Sequence, residues 1–147
     1  SQQIYVINES TKKMDVYDLT LLKVKSIDIE TQCEKLSSSE PIMIDNDLLY
    51  ACNKNKVEMY QLSDMKLIKS LDYTPDSSST SKYLVKDYLI LKTNNQLKYK
   101  HLKYGRTFTR AFENSSIIRS GFVMKALDKN KFIFSDSKNV EHFISTI

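Results

Sequence analysis

Glycine and proline are nearly missing from this chain: two of each in 147 residues, at Gly105, Gly121, Pro41 and Pro75, and there is no tryptophan. Two glycines cannot build a phosphate-cradling loop. None of the G-x-x-x-x-G-K-[ST], G-x-G-x-x-G or G-x-S-x-G patterns occurs, which excludes glycine-loop nucleotide binding and a nucleophile elbow. Cysteine is equally scarce. Cys33 and Cys52 lie 19 apart with no C-x-x-C, and His101 and His142, the only histidines, stand at no metal-ligand spacing to them. Neither a zinc site nor a disulfide scaffold is therefore expected. Carboxylates such as Asp15 and Asp18, or Asp28 and Glu30, read as solvated turn and strand residues, so no catalytic, cofactor or metal residue is assigned and the chain is not read as an enzyme.

Long apolar runs are absent too. No stretch approaches the roughly 20 residues needed to cross a bilayer, and "SQQIYVINES" lacks the apolar centre of a signal peptide. "NES" at Asn8 and "NSS" at Asn114 fit a glycosylation sequon that is short enough to arise by chance. The expected setting is intracellular and reducing, cytoplasm or nucleus. An opening Ser1 in place of Met is what a processed end or a piece of a longer chain would show.

What is present is 41% hydrophobic residues in a chain of single-domain length, enough for one core. Lys and Arg number 22 against 18 Asp and Glu, and the excess is uneven: residues 1–48 hold 5 basic and 9 acidic side chains, the remainder 17 and 9. Such asymmetry points the second half toward an anionic partner, although a lysine-rich solvated face has the same composition.

With so little Gly and Pro, the turns fall to Asn, Asp, Ser and Lys, in "NEST", "DND", "NKNK", "TNNQ", "DKNK" and "SDSKN". Asn and Asp accept left-handed backbone and bond their own main chain. The short runs between these turns repeat. Laid over "IYVINESTKKMDVYDLTLLKVKSIDI" from Ile4, "LYACNKNKVEMYQLSDMKLIKSLDY" from Leu49 puts Tyr50 on Tyr5, Asn53 on Asn8, Tyr60 on Tyr17, Leu62 on Leu19, Lys66 on Lys23 and Ser70 on Ser26, at offsets of 43 to 45. A third copy, "YLILKTNNQLKYKHLKYGRTFTRAF" from Tyr88, places Leu102 on Leu62, and "KFIFSDSKNVEHFISTI" is a partial fourth. The runs "PIMID", "KYLVK" and "IIRSGFVMK" supply a first strand ahead of the later copies. Four strands every 40 to 45 residues or so is the period of a propeller blade. Alternation then sets Val16, Leu19, Met59 and Leu62 between blades.

"VYDL" at Val16–Leu19 resembles the Trp-Asp ending of a WD40 repeat, with Tyr17 for the Trp and Asp18 for the Asp, and "LKVKSIDI" is similar to the strand that follows. Gln61 and His101 replace the Asp in the next copies and no Gly-His pair precedes any blade, so the family's buried His–Asp network is not implied. The resemblance covers nearly the whole chain. It implies an all-β fold of WD40-like propeller blades in one domain, 1–147, with blade segments near 3–30, 41–73, 82–113 and 116–147. It also implies a non-catalytic scaffold or adaptor in an intracellular complex.

The strand tally is three, four, four and three, which leaves a ring incomplete. Propellers close with about four to eight blades, so the open edges are expected to be completed by a second copy or by a protein partner. A second function class attaches to Tyr88–Phe112, where Lys92, Lys98, Lys100, Lys103, Arg106 and Arg110 interleave with Tyr99, Tyr104, Phe108 and Phe112 and no acid intervenes. Lys98, Lys100, Lys103, Arg106 and Arg110 are the candidate contacts to a nucleic-acid backbone or a phosphoinositide, although alternation sends Tyr99 and Lys103 to one face and Lys98 and Lys100 to the other. Two serine-rich connections, Glu34–Pro41 and Tyr73–Lys82, read as flexible links between blades, with Ser37, Ser38, Ser39 and Thr74 as candidate phosphate acceptors. A rival fold for the C-terminal half is similar to a pleckstrin-homology barrel. In it Val140, Phe143 and Ile144 form a helix capped by Ser137, and the basic strands face a membrane.

Overall fold

A computed structural model describes residues 2–38, 40–74, 81–93, 96–111, 123–128, 131–135 and 141–145, with side chains to Thr107 and at Thr109. The chain divides into two compact units, Ser1–Asp72 and Tyr73–Ile147.

Unit 1 opens with a three-stranded sheet, β1 (Ile4–Asn8), β2 (Lys13–Tyr17) and β3 (Lys23–Asp28), in that order. A single helical turn, α1 (Cys33–Leu36), leads to a four-stranded sheet of β4 (Ile42–Asp45), β5 (Leu48–Cys52), β6 (Lys56–Gln61) and β7 (Lys66–Asp72). Unit 2 holds a second four-stranded sheet, β8 (Ser81–Val85), β9 (Tyr88–Lys92), β10 (Gln96–His101) and β11 (Thr107–Ala111), and a last sheet of β12 (Val123–Asp128), β13 (Lys131–Ser135) and β14 (Glu141–Ser145). Every pairing is antiparallel between sequence neighbours. The expected tally of three, four, four and three strands is what the described residues form.

The rival barrel is overturned at the C-terminus. Phe143 and Ile144 lie in β14 and pair with Ile133 and Phe132 of β13, so the segment is a strand. Ser137 and Val140 lie outside the described residues. The first serine-rich connection is also more structured than expected, because α1 sinks Cys33 and Leu36 into the core. Both cysteines are buried, and neither is in a disulfide.

Turn chemistry follows the repeat. Asn8 Oδ1 accepts the N–H groups of Ser10 and Thr11, Asn53 Oδ1 those of Asn55 and Lys56, and Thr93 Oγ1 that of Gln96. Each closes a β-hairpin through a side chain where other proteins use Gly. Left-handed backbone does not keep to Asn and Asp, however. Leu21, Met65 and Gly105 occupy matching places in the β2–β3, β6–β7 and β10–β11 turns at φ of 66°, 55° and 69°. Only the third is the residue type that accepts this without strain.

The core of unit 1 is a sheet-on-sheet layer. Met14, Val16 and Ile27 of the first sheet pack with Leu49, Ala51 and Tyr60 of the second, and Ile29, Cys33, Leu36, Leu62 and Met65 close the ends. Each fully buried side chain of this size contributes about 1.5–3 kcal/mol. A bulge recurs on the outer strand: register slips between Val16 and Tyr17 against β3 and between Met59 and Tyr60 against β7, leaving Val24 and Ile68 as matching extra residues. Register therefore puts Leu67, not Lys66, in the place that Lys23 holds, opposite the tyrosine. In unit 2, β9 is buried along its whole length, as an inner strand covered on both faces must be.

The uncovered face of the first sheet as a candidate functional site

Register makes the repeat quantitative. Ile4 stands opposite Tyr17, Leu49 opposite Tyr60, and Leu89 opposite Lys100; in the next row of the same face Val6 stands opposite Asp15, Ala51 opposite Glu58, and Leu91 opposite Lys98. Leu19, Leu62 and Leu102 follow at the ends of β2, β6 and β10. In the second and third sheets the apolar members of this face, Leu49, Ala51, Leu62, Leu89, Leu91 and Leu102, are at most 6% exposed. In the first sheet Ile4 is 39%, Val6 45% and Leu19 63% exposed.

The cause is visible within unit 1. The second sheet turns Leu49, Ala51 and Leu62 toward the first sheet, whose opposite face, with Tyr5, Ile7, Met14 and Val16, covers them. The first sheet has the same kind of outward face, made by Ile4, Val6, Tyr17 and Leu19, of which Tyr17 is half-buried and the other three are open. A fold-wide tie is missing there as well. Leu62 N–H donates to Asp47 O and Leu102 N–H to Asp87 O, both at 2.8 Å, linking the third turn of each sheet to its first. The described strands of the first sheet are β1, β2 and β3, so the strand and turn that supply this acceptor in the other two sheets have no counterpart among them. Leu19, expected between blades with Leu62, is instead a solvent residue.

Charge on this face follows the same pattern. Glu58 takes Lys35 Nζ on both oxygens, at 3.1 and 3.0 Å, a hydrogen bond from the Tyr60 hydroxyl, and Asn53 Nδ2 at 3.4 Å. Lys35 comes from α1, the connection between the sheets. Asp15 fills the same place in the first sheet. It is served from its own sheet, by Ser26 Oγ at 2.6 Å and Lys23 Nζ at 3.0 Å. The Ser26 hydrogen bond and Lys23 hold its carboxyl below the ordinary value. Beside Leu19, Asp18 accepts the Thr20 hydroxyl and the N–H groups of Thr20 and Leu22, which also holds it ionised. In the third sheet the corresponding residue is Lys98, opposite Thr109, so the sign at this place reverses.

The basic segment is not one surface. Lys98 and Lys100 are half-buried and share one face of β10, while Leu97 and Tyr99 of the other face are buried. Lys92 is buried in β9, and that burial pushes its ammonium pKa down. Lys103 and Arg106 are exposed in the β10–β11 turn, and Arg110 pairs in register with Leu97. In that turn Lys103 Nζ lies 5.4 Å from the ring centre of exposed Tyr104, whose ring also lies 4.7 Å from that of His101.

Ser37 and Ser38 are exposed just after α1; Ser38 Oγ donates to Lys35 O and accepts Glu40 N–H. Thr74 is exposed and Ser39 lies outside the described residues. Two open clefts occur in unit 1. One of about 590 Å³ is lined by Gln3, Tyr5, Lys25, Asp47, Gln61 and Ser63 among others, and one of about 390 Å³ by Asp28, Glu30, Gln32 and Asp64 among others. Among the described residues no three His, Cys, Asp or Glu side chains converge on a metal-sized site, and no helix is long and apolar enough to cross a membrane.

No protein-family model matches the chain, and no curated protein matches it. Solved structures do. The computationally designed Ika4 protein is 12% identical with a TM-score of 0.53, over 99% of this chain and 86% of that one. Hsv2p of Kluyveromyces lactis is 10% identical at 0.53, over 99% of this chain and 46% of its own. The extracellular domain of BT4673 from B. thetaiotaomicron is 18% identical at 0.51, over 97% of this chain and 19% of its own. At such identities the likeness is one of fold. Hsv2 is a β-propeller, and this all-β chain of antiparallel sheets has the fold of part of a propeller. It spans less than half of the Hsv2 length and about a fifth of the BT4673 domain.

Proposed function

We propose that the chain is a non-catalytic protein-interaction module, built of divergent WD40-like blades and serving as a scaffold or adaptor subunit of an intracellular complex. The observation that carries this reading is the exposure of Ile4, Val6 and Leu19 at places that the second and third sheets bury. An open β-sheet face with an open edge strand is a surface made for pairing. Affinity capture from the native source with the wild-type chain and with an Ile4→Asp, Leu19→Asp variant tests it, circular dichroism confirming that both fold. Proteins held by the wild type and lost by the variant support the reading; identical sets on both would refute it.

A second reading, an anionic partner such as a nucleic-acid backbone or a phosphoinositide, rests on Lys103, Tyr104 and Arg106 being grouped and exposed in one turn. Binding to single-stranded RNA or to phosphoinositide vesicles that falls steeply with salt, and falls again in Lys103→Glu, Arg106→Glu, would favour it. Binding unaltered by either would remove it.

A further inference from the structure

Building on the interaction-module reading, we infer that the outward face of the first sheet is covered in solution by unit 2 of a second copy of this chain. Two features point to a copy. The first is the chemistry of fit. The chain already makes this junction once, where Met14, Val16 and Ile27 of one sheet cover Leu49, Ala51 and Leu62 of the next. The face made by Ile4, Val6, Tyr17 and Leu19 has the same residue types in the same register as the covered one. A surface that fits it is therefore a sheet of the kind this sequence encodes.

The second is charge. Residues 1–72 carry 9 basic and 12 acidic side chains, and residues 73–147 carry 13 and 6. Unit 1 is thus net acidic and unit 2 strongly basic, so two copies attract when unit 2 of one approaches unit 1 of the other, and repel in the like-to-like arrangement. Asp18, ionised beside Leu19, places part of the negative charge at the rim of the apolar patch. Contact of unit 1 with unit 2 is heterologous: a pair closes if both junctions form at once, and the chain otherwise extends by further copies.

The test is absolute mass by light scattering on a sizing column, across a dilution series at low and high salt, for the wild-type chain and for Val6→Asp, Leu19→Asp. The single chain is 17.1 kDa. The expected result is a mass of about 34 kDa or a higher multiple at micromolar concentration. It should dissociate on dilution, more readily at high salt, and the variant should need at least ~10-fold higher concentration to associate. Both replaced side chains are exposed, so the variant is expected to fold, and circular dichroism checks this. A mass near that of one chain throughout overturns the inference and leaves the interaction-module reading to the capture experiment, which needs no second copy. An oligomer that the variant forms equally well overturns it too, since the contact would then lie on another surface.

Discussion

Lys35 Nζ holds both carboxylate oxygens of Glu58, so that the connection between the first two sheets is pinned to the middle of the second. Burial is the largest single influence on this carboxyl and pushes its pKa up, but the hydrogen bonds from Tyr60 and Lys35 and the Lys35 charge outweigh it and leave the group below 4.5. A folded-state pKa below the unfolded one gives stability that is complete above the ordinary carboxylate range and is lost as pH falls through the folded value. Lys35→Met leaves Glu58 with its neutral donors only. Because Lys35 is about half exposed, the loss at pH 7 is expected near the lower end of about 1–3 kcal/mol. Urea unfolding at pH 7 and pH 4 checks it. The variant should be less stable at pH 7 and lose less than the wild type on acidification; equal stability at pH 7 would mean that the pair contributes nothing.

The three left-handed turn residues allow a backbone term to be measured by itself. A Cβ added at Gly105 would have no atom within 4 Å, so Gly105→Ala has no steric clash and only its φ of 69° to bear. The expected loss is about 1 kcal/mol or slightly more. Leu21 sits in the same conformation and is 70% exposed, so Leu21→Gly should be neutral or stabilising by up to roughly 1 kcal/mol, the gain being reduced by the freer unfolded chain. Met65→Gly should destabilise, because Met65 is buried. Thermal unfolding of the three variants decides; a destabilised Leu21→Gly would show that the strain argument fails.

Leu62 and Leu19 end the same motif and should behave oppositely. Leu62→Ala removes a core side chain and is expected to cost about 2–5 kcal/mol. Leu19→Ala should change the stability of the isolated chain by less than about 0.5 kcal/mol. Denaturant titration under conditions that keep the chain monomeric separates the two. A large loss for Leu19→Ala would mean that its face is already covered.

This pair also marks the limit of what the sequence makes legible. Period, strand tally and hairpin turns come from local patterns, and Asn8 and Asn53 do what those patterns imply, while in "TNNQ" Thr93 is the acceptor that the emphasis on Asn, Asp, Ser and Lys passes over. The alternation that separates Tyr99 from Lys98 and Lys100 is likewise readable. Burial of Leu62 against exposure of Leu19 is not, since "YQL" and "YDL" are equivalent locally and differ only in whether another sheet faces them. The turn α1 has two apolar residues three apart, too few to declare a period. Phe143 and Ile144 fit a helix as well as a strand when five residues are all there is to read, and pairing with β13 decides between them. The Lys35–Glu58 contact joins residues 23 apart in sequence and leaves no motif.

His101 stands where the first sheet has Asp18, and the two do the same work with different chemistry. Asp18 Oδ1 accepts the N–H groups of Thr20 and Leu22, while His101 Nδ1 accepts those of Lys103 and Tyr104 at 3.1 and 3.2 Å. A shared role predicts that His101→Asp folds with stability close to the wild type, because a carboxylate accepts the same donors and adds no bulk. His101→Leu should lose about 0.5–1.5 kcal/mol, the net worth of the acceptor. Urea unfolding of the three proteins at one neutral pH therefore distinguishes a turn cap from a packing residue. If His101 serves mainly through its ring contacts with Tyr88 and Tyr104, at 4.9 and 4.7 Å, then His101→Asp will be as damaging as His101→Leu.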